Sequence, residues 1–174
     1  KKEWLNKTVY PGKWAKEHQG LCMYSFCALM GVVYCTLIWN HNIWTDEAFT
    51  VDLLKNCKTP LQVWEFTAGD VHPPLYYLIL LPFSNLFGIK LWMLKFLSIV
   101  PMVGTLIIGP AYLKNRFGNK TAWLYMVILT AMPITMEYAV QVRMYSWAML
   151  FLTLCFIMAF RSYETGRVRY FVYT

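Results

Sequence analysis

Two short stretches carry most of the side chains that can do chemistry in this chain. They are Trp44-Thr45-Asp46-Glu47-Ala48 and Asp70-Val71-His72-Pro73-Pro74-Leu75-Tyr76-Tyr77. A carboxylate such as Asp46 or Glu47 can act as general base on an acceptor nucleophile, or as a metal ligand. His72 can titrate, bind a metal or donate to a phosphate. Both stretches lie between apolar runs, where charged groups are costly and need a reason. A second group, Glu137 and Arg143, flanks a turn further along. Guanidinium forks match phosphate oxygens, so Arg143, followed by Tyr145, can grip a phosphate. Lys95 offers another cation near the start of an apolar run.

Each group also has a plainer structural role. Thr45 suits a helix N-cap, with Asp46 and Glu47 in the first turn where acids complement the helix dipole. Ala48, Val51 and Leu54, with Phe49 and Leu53, then form an apolar face against the membrane. Asp70 can cap a helix that the two prolines begin. Tyr76 and Tyr77 suit interfacial anchors. Glu137 and Arg143 can pair with each other or snorkel, and snorkelling is the better account of Lys95 alone. The balance shifts towards chemistry because His-Pro-Pro follows the Asp-Glu pair by ~25 residues and closes the same loop.

The elements that must position these groups are greasy. The chain has 174 residues, 58% hydrophobic, 18% aromatic and 14% charged. Soluble domains carry about 25% charged residues. Apolar runs with charges confined to the gaps predict an all-α, polytopic transmembrane bundle. The net charge of +7 does not indicate nucleic acid. The basic residues sit at the ends of apolar runs and form no aromatic-interleaved surface. Of the five cysteines, Cys22, Cys27, Cys35 and Cys155 lie in apolar runs, Cys57 lies in a polar loop, and no CxxC spacing occurs. They read as small apolar side chains rather than metal ligands or disulfides.

About four spans are expected, near residues 21–40, 91–113, 122–138 and 145–160. A basic cytoplasmic tail covers 1–20. The extracytoplasmic loop 41–90 carries amphipathic or re-entrant helices. Leu75–Phe87 would rise only ~20 Å as a helix, short of a ~30 Å hydrocarbon core, and contains Pro82. If it does not cross, the N-terminal tail, 114–120 and 161–169 share one side and hold eleven of the 16 Lys and Arg residues. The positive-inside rule favours that arrangement. Asp46, Glu47, Asp52, Glu65, Asp70, His72, Glu137 and Arg143 then converge on the opposite face.

This arrangement resembles the protein O-mannosyltransferase-like glycosyltransferases, glycosyltransferase family 39 of the GT-C superfamily. The residues that carry the resemblance are Asp46-Glu47, Asp70-Val71-His72-Pro73-Pro74-Leu75-Tyr76-Tyr77, Phe87-Gly88 and Gln141-Val142-Arg143-Met144-Tyr145-Ser146. The Asp-Glu pair and the Asp-Val-His-Pro-Pro segment are its specific parts. It runs from about residue 21 to 160.

The resemblance implies a multi-span enzyme that takes a sugar from a polyprenyl-phosphate-linked donor to a hydroxyl of a protein, glycan or lipid acceptor. Asp46 would be the base, with Glu47 assisting it or orienting a ligand. Asp70 and His72 would shape the acceptor and lipid-phosphate region, and a divalent metal among Asp46, Asp70 and His72 is one arrangement it allows. Arg143 would contact the phosphate. The family often has Arg where this chain has Lys95, and Lys lacks the bidentate fork. Family members have more spans, so the chain reads as the N-terminal part of a longer protein, or a divergent truncated relative. The compact loop favours a bacterial plasma membrane over an endoplasmic reticulum.

No phosphate loop, nucleophile elbow, dinucleotide fingerprint or zinc motif is present. A transporter segment would need polar residues deep in the spans, which are nearly free of them. A non-catalytic lipid-binding or assembly subunit of the same fold is the first alternative to the enzyme, with a transporter segment ranked below it.

Overall fold

The computed structural model describes residues 18–40, 42–69 and 73–166. The tail expected over 1–20 therefore lies outside the described residues up to position 17, as do Asp70 and His72.

All regular structure among the described residues is helical. α1 covers Gln19–Asn40, α2 Thr45–Asn56, α3 Pro60–Thr67, α4 Leu75–Phe87 and α5 Leu91–Phe117. α6 covers Asn119–Ala131, α7 Pro133–Val140 and α8 Tyr145–Thr165. The chain forms an all-α bundle in which α1, α5 and α8 are long and apolar enough to cross a membrane. α6 and α7 make a fourth crossing if the bent pair is one span.

α5 is the centre. Within their most apolar stretches, 56% of α5 is buried against protein, compared with 22% of α1 and 17% of α8. α1, α6, α7 and α8 all pack around α5. The surface that α1 and α8 leave open is apolar, with Leu29, Val32, Leu152 and Phe156 exposed. Such an outward face suits lipid rather than water.

The third crossing, expected as one helix over 122–138, is broken by 72° between α6 and α7. The cause is local. A residue before proline is pushed out of the helical region, and Met132, before Pro133, adopts φ −77° and ψ 118°. Pro133 then starts α7, where its missing N–H costs nothing.

α4 runs over Leu75–Phe87 and, at 13 residues, is too short to be counted among the crossing helices. Gly88, at φ 76°, takes the left-handed turn that redirects the chain into α5. The Asn85 side chain returns to the α2–α3 link, donating from Nδ2 to the Lys58 carbonyl at 3.0 Å.

Contacts at the helix ends establish the path. A Cβ at Gly20 would sit 3.5 Å from Lys114 Nζ, so α1 begins where α5 ends. An Arg116–Glu164 ion pair ties the ends of α5 and α8 together. At the other pole, α2 bonds to the α7–α8 link. The bundle therefore has a pole carrying Lys114, Arg116 and Glu164, and an opposite pole built from α2, α4 and the α7–α8 link.

Two apolar cores match this division. The first joins Met23, Cys27, Met30 and Tyr34 of α1 to α5, α6 and α7. The second joins Leu53 and Leu54 of α2 to Tyr76, Tyr77, Leu80 and Leu81 of α4 and to Leu94 of α5. The apolar face of α2 was expected against the membrane. Leu53 and Leu54 are instead completely buried in protein, because α4 offers a closer apolar partner. Thr45 is likewise the first helical residue rather than the cap, which is Trp44.

Two outcomes follow. In a cysteine-free background, single cysteines at positions 90 and 117 should react with an impermeant maleimide from opposite sides of the membrane. Labelling from the same side would break the path described. Second, α5 and α6 touch closely at Gly109, where a Cβ would lie 2.8 Å from Cε1 of Tyr125. Gly109→Ala should cost about 1–3 kcal/mol by overpacking. In a Tyr125→Leu background that cost should disappear, read as thermal melting in detergent.

Candidate functional site

The site begins with one turn of helix. Trp44 caps α2, and Glu47, three residues on, folds back so that Oε2 accepts from the Trp44 backbone N–H at 3.0 Å. This is the reciprocal half of a capping box, which satisfies a donor that a helix start leaves open. The same carboxylate reaches 95 residues along the chain, where Oε1 accepts from the Val142 N–H at 2.7 Å. Thr50, one turn later on that face, donates from Oγ1 to the Val142 carbonyl at 3.2 Å. Glu47 and Thr50 thus hold the amide and the carbonyl of one non-helical residue. All three residues are fully buried. Without these partners, two buried backbone groups of the α7–α8 link would lack intrahelical bonds.

Fixing Val142 fixes Arg143. Its Nη1 donates to the Asp46 carbonyl at 3.2 Å, and Nη2 lies 3.7 Å from Asp46 Oδ2. The partners differ in exposure: the Arg143 side chain is 3% exposed and that of Asp46 68%. A buried cation therefore holds a carboxylate that solvent can reach. Lys95 is also buried, on the first turns of α5, and is attracted to Glu47.

Tyr76 of α4 completes the floor. Burial pushes its phenol well above the ordinary range, and the Tyr77 phenol and Glu47 carboxylate push it further. Ser98 and Arg143 act in the opposite direction. The phenol consequently stays protonated at any physiological pH. Tyr76 feels Glu47, Arg143 and Ser98, and Lys95 feels Glu47, so residues from α2, α4, α5 and the α7–α8 link form one buried polar cluster.

Tyr145 stacks on Tyr138, with ring centroids 4.2 Å apart and planes 23° apart. Ser146 Oγ donates to the Tyr138 carbonyl at 2.8 Å. Together they close the α7–α8 corner, so Tyr145 serves as a wall beside Arg143. Glu137 is half-buried on α7, and its Oε1 accepts from Gln141 Nε2 at 3.5 Å. It lines a cleft of about 390 Å³ with Asn40, Asn42 and Trp44. The ion pair that joins the acidic loop to this turn runs from Arg143 to Asp46.

Among the eight residues singled out from the sequence, Asp46, Glu47, Lys95 and Arg143 come together directly. Tyr145 and Glu137 border the group. Asp70 and His72 lie outside the described residues; Pro73 lines a cleft with Met144, which follows Arg143, and Trp147. Of the metal trio Asp46, Asp70 and His72, only Asp46 is described. No three His, Cys, Asp or Glu residues gather around a possible metal position among the described residues. The sequence reading missed Thr50 and the Val142 backbone. Thr50 carried a faint signal, lying three residues after Glu47 and so on the same helix face.

Comparison with protein-family models, curated proteins and solved structures yields no match to this chain.

The Glu47 clamp makes a direct prediction. Glu47→Gln presents an amide NH₂ to one of two backbone N–H donors, the buried one of Val142 or the part-buried one of Trp44, and leaves that donor unmatched. A loss of roughly 1–3 kcal/mol is expected from that group alone. The asymmetry should show when compared with Asp46→Asn, which removes the 3.7 Å ion pair but keeps the carbonyl to which Arg143 Nη1 donates, and so should lower the melting temperature less. Equal melting temperatures for Glu47→Gln and wild type would remove the clamp.

Proposed function

We propose that this chain is a membrane glycosyltransferase, transferring a sugar from a polyprenyl-phosphate-linked donor to an acceptor hydroxyl with Asp46 as general base. The observation that carries this reading is the pairing of an exposed Asp46 carboxylate with a buried Arg143, at the pole where the acidic loop meets the α7–α8 link. A base must be reachable and held still, and a backbone-anchored arginine beside it does the holding. The resemblance of the Asp46-Glu47 and Asp70–Tyr77 segments to the O-mannosyltransferase-like enzymes supports the same assignment.

The reaction follows from the groups. Asp46 takes the proton of the acceptor hydroxyl as its oxygen attacks the anomeric carbon. The bond from that carbon to the phosphate oxygen breaks, and the lipid phosphate leaves with the electron pair. Arg143, whose buried guanidinium lies 3.7 Å from the Asp46 carboxylate, lowers the cost of the developing negative charge. Glu47 is a positioning residue, because both of its oxygens are bonded to backbone amides. Lys95, buried and attracted to Glu47, supports its charge. One base and one leaving-group clamp, with no second nucleophile between them among the described residues, favour inversion at the anomeric carbon.

Sidedness fits the same reading. The pole with Lys114, Arg116 and Arg161 matches a cytoplasmic face by the positive-inside rule, which puts Asp46 on the extracytoplasmic face.

The test uses membranes carrying the protein and labelled polyprenyl-phosphate sugars. Asp46→Asn should lower transfer by roughly 10²- to 10⁴-fold, the ordinary contribution of a general base. Equal transfer by both proteins would dismiss Asp46 as the base. A covalent sugar–protein intermediate would overturn inversion. Donor binding that persists without any transfer by the wild type would point instead to a lipid-binding subunit.

A further inference from the structure

The cleft between α1 and α7 has a chemistry that the base and its arginine do not use. Its volume, about 390 Å³, falls within the ~300–1,000 Å³ of small-molecule sites. Asn40, Asn42, Trp44 and Glu137 line it over an apolar floor that includes Leu37 and Val140. The 72° break after α6 sets the angle at which α7 meets α1 along this cleft. Trp44 is a steady wall, since its backbone N–H is bonded to the buried Glu47. The residue is 57% exposed, and its side chain lines the cleft.

The lining selects among ligands. Among the described residues it contains no lysine or arginine, and Glu137 would repel an anion, so a phosphate does not fit. Two carboxamides and a carboxylate would go unsatisfied against a lipid chain, so a prenyl or acyl tail does not fit either. A neutral polyol fits. Its hydroxyls can donate to Glu137 and can both donate to and accept from Asn40 and Asn42, while an apolar ring face lies on the Trp44 indole. Trp44 stands two residues before Asp46 in sequence, which puts the cleft beside the proposed base.

We propose that this cleft binds one neutral pyranose unit, with Trp44 as its stacking platform and Asn40, Asn42 and Glu137 as its hydrogen-bonding groups. The proposal deepens the transferase reading and rests on it for the origin of the sugar, which is either the donor's transferred unit or a residue of a glycan acceptor.

The experiment is saturation-transfer NMR on the detergent-solubilised protein with methyl pyranosides of mannose, glucose and galactose. At least one should receive saturation at its ring protons. Trp44→Ala and Asn42→Ala should each weaken binding roughly threefold to tenfold, and Trp44→Phe should restore most of the first loss. Lys120→Ala, at the far pole, should bind like wild type. Asn42 is exposed and makes no hydrogen bond that α2 depends on, so its variant remains informative if Trp44→Ala unfolds.

No saturation with any of the pyranosides, or binding unchanged by both Trp44→Ala and Asn42→Ala, would overturn the site. Competition identifies the source. Displacement by a polyprenyl-phosphate-linked sugar but not by bare polyprenyl phosphate assigns the donor unit, and displacement by neither assigns the acceptor glycan; either result upholds the cleft. The readout does not require turnover. Loss of the transferase reading through an active Asp46→Asn would therefore leave pyranoside binding standing or falling on its own.

Discussion

The organisation of the polar pole depends on how one buried residue, Val142, is satisfied. The chain must turn from α7 into α8 at a depth where water does not reach, and a turn leaves backbone groups open. Glu47 takes the amide and Thr50 the carbonyl. Because both come from one face of α2, the acidic loop and the last crossing are locked at a single register. The arrangement also explains why a carboxylate is tolerated in a fully buried position. Two backbone donors and the attraction of Lys95 offset its desolvation, where an unpartnered charge would cost far more than the fold can spare.

The consequences spread outward from that bond. Arg143 follows Val142 directly, so its guanidinium arrives at Asp46 without any long side chain having to search for it. Asp46 precedes Glu47 directly, so the helix turn that buries one carboxylate exposes the other. Neighbouring acids thus acquire opposite tasks from the geometry of a single turn. The Glu47 carboxylate organises the interior, and the Asp46 carboxylate faces outward. Beneath them, Tyr76 stays protonated through burial and offers a donor that does not change with pH. At the opposite pole, the Arg116–Glu164 pair and Lys114 close the bundle with groups that play no part in the site.

Much of the architecture was legible from the residues. Long apolar runs predicted α1, α5 and α8, since a stretch near twenty apolar residues has few stable alternatives to a spanning helix. The thirteen residues of Leu75–Phe87 are a helix of that length, which the runs alone already made too short to cross. The third crossing was less legible. Its apolar content is continuous across Met132-Pro133, and composition does not reveal that a pre-proline residue will break the axis by 72°. The inward turn of α2 was also hidden. An amphipathic helix shows which face seeks an apolar partner, but its sequence does not say whether that partner is lipid or α4.

The sequence by itself determined that the chain is a helical, membrane-suited bundle, and which few residues could do chemistry. Both follow from local properties, namely hydrophobic run length and the types of side chain in the gaps. Only the tertiary structure decided which of those residues share a site and in what state. Glu47 and Val142 are 95 residues apart, and nothing in either neighbourhood requires the other. Which carboxylate is buried, which arginine oxygen partner is chosen and which aromatic is left open to a ligand all depend on long-range closure. That closure is set by packing around α5 and by the need to satisfy a buried turn, and neither can be read from residues one segment at a time.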